Sequence, residues 1–130
     1  MNPVFADIFY WIALASPKDR FHRQVLEFSS SLTSTLIVTT DEVLTEFLAF
    51  CAADSQLRLD ASQAVQDILS AQSVRVIPQT RDSFLAGLQL YRSRLDKQYS
   101  LTDCISMQTM RAQGITEVLT NDRHFQQEGF

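Results

Sequence analysis

The sequence predicts an α/β domain of three layers, with helices on both faces of a mostly parallel central sheet of four to five strands. Three observations lead to it. Short apolar runs alternate with longer segments whose apolar residues recur every three or four positions, which is the pattern of strands followed by helices. One run, Leu36, Ile37 and Val38, is apolar throughout, as in a parallel strand covered on both faces. The 130 residues are also the length of one domain with a core of its own, so residues 1–130 read as a single unit.

The elements follow in chain order. Pro3 to Ala6 reads as a first strand, and Phe9, Tyr10, Ile12, Ala13 and Leu14 as a short helix that stops before Pro17. Phe21, Val25, Phe28 and Leu32 give an amphipathic helix from Lys18 to about Ser31. After the Leu36–Val38 strand, Thr39 or Thr40 is a suitable N-cap for a helix from about Asp41 to Ala53. Its buried arc is expected at Val43, Leu44, Phe47, Leu48 and Cys51, with Glu46 at the edge of that arc. Helices over about Arg58 to Ala71 (Leu59, Val65, Ile68, Leu69) and Thr80 to Lys97 (Phe84, Leu88, Tyr91, Leu95) flank a strand from Val74 to Ile77. A last helix starts near Ser100 or Thr102 and ends at Gly114, before a strand from Glu117 to Leu119.

Composition narrows the function. Hydrophobic residues make up 45% and charged residues 20%, the balance of an ordinary globular domain. No stretch approaches the roughly 20 apolar residues of a membrane span, and there is no basic-then-apolar leader at the start; the expectation is a cytoplasmic protein with no membrane partner. Cys51 and Cys104 form no CxxC pair and read as small buried hydrophobes. The formal net charge is -4, from 15 acids and 11 bases. With Asp7, Glu46, Asp103 and Asp122 set aside, the remaining acids and bases balance, so the excess belongs to those four positions. Lys18 and Lys97 are the only lysines, and contacts to a polyanion fall to dispersed arginines such as Arg20, Arg23, Arg111 and Arg123, so bulk RNA binding should be weak and sensitive to salt.

Sheets of this kind bind ligands beyond the carboxyl ends of their strands. Asp7 directly follows the first strand, Asp122 lies just past the last, Asp103 opens a helix, and Glu46 borders an apolar arc from which it can reach a cleft. Each has an ordinary explanation when taken alone. Asp103, like Asp41, suits a first helical turn, Glu46 an exposed helix face, Asp122 an Asx turn, and Asp7 a helix cap. Together, four acids gathered at one sheet edge suit Mg²⁺ or Mn²⁺, which take hard oxygen ligands. Glu42, one turn before Glu46, is a supplementary candidate. His22 and His124 read as surface or packing residues, having no second histidine at ligand spacing, and Phe9, Tyr10 and Trp11 as core.

The contexts of the acids, FADIFYWIALASPKDRFH around Asp7, TTDEVLTEF around Glu46, YSLTDCIS around Asp103 and LTNDRHF around Asp122, resemble the motifs of the PIN-domain nucleases over nearly the whole chain. The resemblance implies a PIN-like fold and metal-assisted hydrolysis of RNA phosphodiesters. Asp7, Asp103 and Asp122 would then be direct or water-mediated metal ligands, Glu46 would complete the cage or orient the attacking water, and Thr120 would hold a ligand or water by its hydroxyl. It also implies an endoribonuclease of the VapC toxin type, held by a small antitoxin and forming a homodimer. Two features depart from the pattern: Ile8 and Phe9 follow Asp7 where the family commonly has Thr, Ser or Asn, and the chain stops after the His124, Phe125, Gly129, Phe130 motif, where a further short strand is normal. The second departure leaves two readings: a missing strand, or a sheet edge completed by a partner. A phosphoacceptor receiver would need an acidic pair near strand one and a late lysine, and a haloacid-dehalogenase-type phosphatase would need Asp-x-Asp at Asp7; neither is present. The alternative function is a non-catalytic PIN-like module that binds RNA or protein.

Overall fold

The computed structural model describes residues 2–32 and 34–130. Its sheet comprises β1 (Val4–Ala6), β2 (Ile37–Thr40), β3 (Val74–Ile77) and β4 (Val118–Leu119), in the order β3-β2-β1-β4 with every pairing parallel. Among the described residues the helices are α1 (Ile8–Ala15), α2 (His22–Ser31), α3 (Asp41–Phe50), α4 (Ser55–Ser70), α5 (Arg81–Ser93), α6 (Leu101–Gln113) and α7 (Arg123–Gln127), set between the strands. This is the predicted three-layer architecture, with four strands among the described residues. Strands β1 and β2 are buried at every position, as befits the two central strands, whereas β3 and β4 at the edges are partly exposed. The strand order reverses between β1 and β4, so the crevice beside the carboxyl end of β1 is the topological switch point, where such sheets bind ligands.

Local chemistry sets most boundaries. Thr40 ends β2 and caps α3 by accepting from the Val43 amide at 3.1 Å. Ser100 and Asp103 form a reciprocal capping box at the start of α6, and Gly114 ends that helix in the left-handed conformation (φ +69°).

Four helices differ from the sequence expectation, α5 also ending at Ser93 rather than Lys97. α2 starts at His22 rather than Lys18, because Asp19 folds the preceding residues into a turn: its carbonyl accepts from the His22 amide and its Oδ1 from the Phe21 amide. α3 ends at Phe50 instead of Ala53, and Leu48 is 37% exposed, outside the expected buried arc. α4 begins a turn earlier than Arg58, since Asp54 caps it through the Leu57 amide. It buries Ala61 rather than Leu59 or Leu69, both of which face solvent.

The largest change is the face that α5 presents. Gly87 and Leu90 are buried, while Phe84, Leu85, Tyr91 and, beyond the end of the helix, Leu95 are exposed. A Cβ on Gly87 would sit 2.4 Å from Ile105 Cγ1, so the glycine sets how closely α5 rests on α6, and the close approach outweighs side-chain bulk in choosing the contact face. Tyr10 and Trp11 are core residues with Phe9 packed against them, and Cys51 and Cys104 are buried free thiols, all as expected. His22 is half-buried and packs through its Nδ1, 2.7 Å from the Ala13 carbonyl.

Candidate functional site

All four acids converge at the switch point. Asp7 follows β1, is 4% exposed, and turns its Oδ2 toward Thr120, whose hydroxyl donates to it at 3.0 Å. That hydroxyl also accepts from the Asp122 amide at 3.0 Å, which ties the two residues at the ends of β1 and β4 together. Asp7 is the N-cap position of α1 but makes no capping bond across the first turn, so its side chain is turned to the site and not to the helix. Asp122 caps α7, its Oδ1 accepting from the His124 amide at 3.0 Å.

Asp103 is buried in the first turn of α6, where its Oδ2 accepts from the Ser100 amide at 3.0 Å. The same oxygen lies 3.0 Å from His124 Nδ1, and that nitrogen lies 3.2 Å from Asp122 Oδ1. Ligand atoms of Asp103, Asp122 and His124 therefore all fall within 4.8 Å of one another. His124, which the sequence suggests is a surface or packing residue, lies between two of the acids. The fold, and not a second histidine, supplies its companions. The available signal was its position two residues after Asp122, where a helix cap turns it inward. Its ring also packs on Tyr99, with centroids 5.3 Å apart.

Glu46 approaches from α3 and is half-buried, as its place at the edge of the apolar arc predicted. Its carboxyl is raised above the ordinary glutamate value by burial and then by the negative charge of Asp103, while a hydrogen bond from the Thr102 side chain opposes the shift. Asp7 is raised further, from 3.8 to about 6, chiefly by burial, with the charges of Asp103 and Asp122 adding to it; hydrogen bonds with the Ile8 backbone and Thr120 oppose. These shifts mark buried carboxyls first, with the neighbouring acids adding to the effect. Glu42 does not join the cluster; it lines a groove beside it, with Arg81, Phe84 and Thr102.

A second polar network closes the end of the fold. The Glu128 side chain is only 5% exposed and accepts from Arg94 at 2.8 Å through both oxygens, from Arg111 at 2.7 Å, and from the Tyr99 hydroxyl at 3.1 Å. Hydrogen bonds from Arg94, set against burial, hold its carboxyl down at about 2. No spacing along the chain announces this clamp, because its members lie up to 34 residues apart on α6 and in loops.

Among the described residues, no helix is long and apolar enough to cross a membrane. Residues 6–130 match the family profile of the PIN domain. The structure is similar to that of Mycobacterium tuberculosis VapC20, described as a sarcin-ricin loop cleaving toxin, with a TM-score of 0.87 and 24% identity over 98% of this chain and 95% of that one. No curated protein sequence matches significantly.

Proposed function

This chain belongs to the PIN-domain family, and on that premise we propose that it is a metal-dependent endoribonuclease, the toxin of a type II toxin-antitoxin pair acting on RNA in the cytoplasm. The observation that carries the reading is the meeting of Asp103, Asp122 and His124 within 4.8 Å, flanked by the raised carboxyls of Asp7 and Glu46. The donor set fits a hard divalent ion: several carboxylate oxygens and one imidazole, held by neutral hydrogen-bond donors. Asp7, Asp103 and Asp122 would hold Mg²⁺ or Mn²⁺ directly or through water, and a bound ion supplies water activation and charge for the phosphate. Glu46, held by Thr102, orients the attacking water, and Thr120 fixes the Asp7 carboxylate.

The likeness to an RNA-cleaving toxin supports RNA as the substrate class. A groove of about 500 Å³ lined by Ile12, Pro17, Phe47, Phe50 and Leu57 supports an apolar antitoxin segment as a partner, and the exposed Leu85 and Tyr91 of α5 support a homodimer. The test is cleavage of a labelled loop-containing RNA by the wild type and by Asp103→Asn. Cutting should require Mg²⁺ or Mn²⁺ and disappear in EDTA and in the variant. Full cleavage by Asp103→Asn with metal present would remove the site, and metal binding without cleavage across several RNAs would leave a non-catalytic module.

A further inference from the structure

Beside the acidic cluster, a groove of about 590 Å³ opens among the first turns of three helices. It is lined by Glu42 of α3, by Gln79 just before α5, by Arg81 and Phe84 in the first turn of α5, and by Leu101 and Thr102 at the start of α6. From this arrangement we infer that the groove is a subsite for one unpaired nucleotide of the RNA next to the scissile phosphate, and that it favours a base carrying an exocyclic amino group. The inference rests on the nuclease reading for the position of the scissile phosphate, and on the groove itself for its selectivity.

Position comes first. Thr102 lines the groove and hydrogen-bonds Glu46, and Leu101 and Thr102 immediately precede Asp103, so the groove and the acidic cluster share a wall. A strand crossing the cluster runs on into the groove. The volume lies in the range of small-ligand pockets, roughly 300–1,000 Å³, and admits a nucleotide.

The walls then specify the chemistry. Phe84 is 36% exposed, and the Arg81 guanidinium lies 5.5 Å from its ring centroid, giving an aromatic face and a planar cation of the kind on which unstacked bases settle. The segment between them and the sheet is fixed, because Asp41 Oδ2 accepts from the Gln79 amide at 2.9 Å and Thr80 forms a capping box with Ser83. Charge separates base recognition from phosphate binding: the residues lining the groove include one acid, Glu42, and one cation, Arg81, a balance that does not collect polyanions. A carboxylate only accepts hydrogen bonds, so Glu42 favours the exocyclic amino groups of adenine, cytosine or guanine over uracil, whose one base donor, N3–H, is flanked by two carbonyl oxygens that repel the carboxylate.

The experiment uses labelled hexanucleotides of adenylate, cytidylate and uridylate, with binding followed by anisotropy in EDTA, so that no cutting occurs. In parallel, cleavage is measured on RNAs whose base beside the cut is varied. The wild type should bind the adenylate and cytidylate oligomers about 10-fold more tightly than the uridylate one. Glu42→Gln should bring that preference to within about twofold, since an amide both donates and accepts. Phe84→Ala should weaken all three by about 10-fold and raise KM with little change in kcat. Mn²⁺ binding measured by calorimetry should be unchanged in both variants. Equal binding of all three oligomers by the wild type, or unaltered affinity and preference in the variants, overturns the subsite. If the wild type cuts nothing, the nuclease reading fails, while the anisotropy arm still decides on the groove.

Discussion

Replacing Asp7 by Asn should stabilise the metal-free protein, by a gain that grows as pH rises from 3.8 to about 6 and is full above that. Asp7 is 4% exposed and its carboxyl is raised from 3.8 to about 6, first by burial. The folded state therefore holds a proton more tightly than the unfolded state. The contribution is most favourable below the unfolded value and is lost as pH rises through the folded one, reaching a penalty of about 3 kcal/mol above pH 7. Asn keeps an acceptor for the Thr120 hydroxyl but gives up the second carboxylate oxygen, so the net gain is about 1–2 kcal/mol, or roughly 3–8 °C in Tm for a domain of this size. The assay is thermal unfolding of both proteins in EDTA at about pH 4 and pH 8. The difference in Tm between variant and wild type should be near zero at the acid end and positive at the alkaline end. Adding millimolar Mg²⁺ or Mn²⁺ at pH 8 should raise the wild type and close the gap, because an ion that binds only the folded state stabilises it by mass action. A Tm difference that is the same at both pH values, or negative at pH 8, refutes the argument that an unneutralised carboxylate is held there.

Glu128 behaves in the opposite sense. Its carboxyl is lowered from 4.5 to about 2, so its stabilisation is present above 4.5 and is lost as pH falls toward 2. Glu128→Ala should cost about 1–3 kcal/mol at pH 7, less than the roughly 3–5 kcal/mol of a fully buried broken pair because the Arg94 and Arg111 side chains are 37% and 40% exposed and regain water; urea titrations at pH 7 and pH 3 check both the size and its decline. Gly87→Ala should cost about 1–3 kcal/mol by forcing Ile105 aside, and Ile105→Ala should recover part of that loss in a double-mutant cycle. Tyr91→Glu should shift a dimer toward monomer in light scattering without lowering Tm, since Tyr91 is 49% exposed in the single chain.

How far the sequence could be read depended on the range of the interactions. Caps and breakers act within four residues, so Thr40 and Ser100 mark the starts of their helices and Gly114 the end of α6, and the apolar run Leu36–Val38 announced a central parallel strand, which spans Ile37–Thr40. Asp7, Asp103 and Asp122 were legible because each adjoins an element end that topology carries to one edge, and Glu46 because it borders the apolar arc of α3. The exposed face of α5 was read as buried because periodicity counts bulk, whereas Gly87 won the contact by having none. His124 and Glu128 were missed for a related reason: their partners come from other elements, and no spacing along the chain encodes such a meeting.

The absence of a hydroxyl after Asp7 is answered from elsewhere in the fold. Thr120 donates to its Oδ2, and the Ile8 backbone, not its side chain, supplies a second hydrogen bond. The same device recurs around the site: the Ser100 amide holds Asp103, the Thr102 side chain holds Glu46, and the His124 amide holds Asp122. All of these donors are neutral. Each fixes the direction of a carboxylate while leaving its charge in place, and no lysine or arginine forms an ion pair with any of the four acids among the described residues. Glu128 shows the contrast within the same molecule, since there two guanidiniums satisfy one carboxylate and pull its pKa down. A fold that arms one acid with arginines and holds four others with neutral donors separates a structural carboxylate from the four that the proposed reading assigns to a cation.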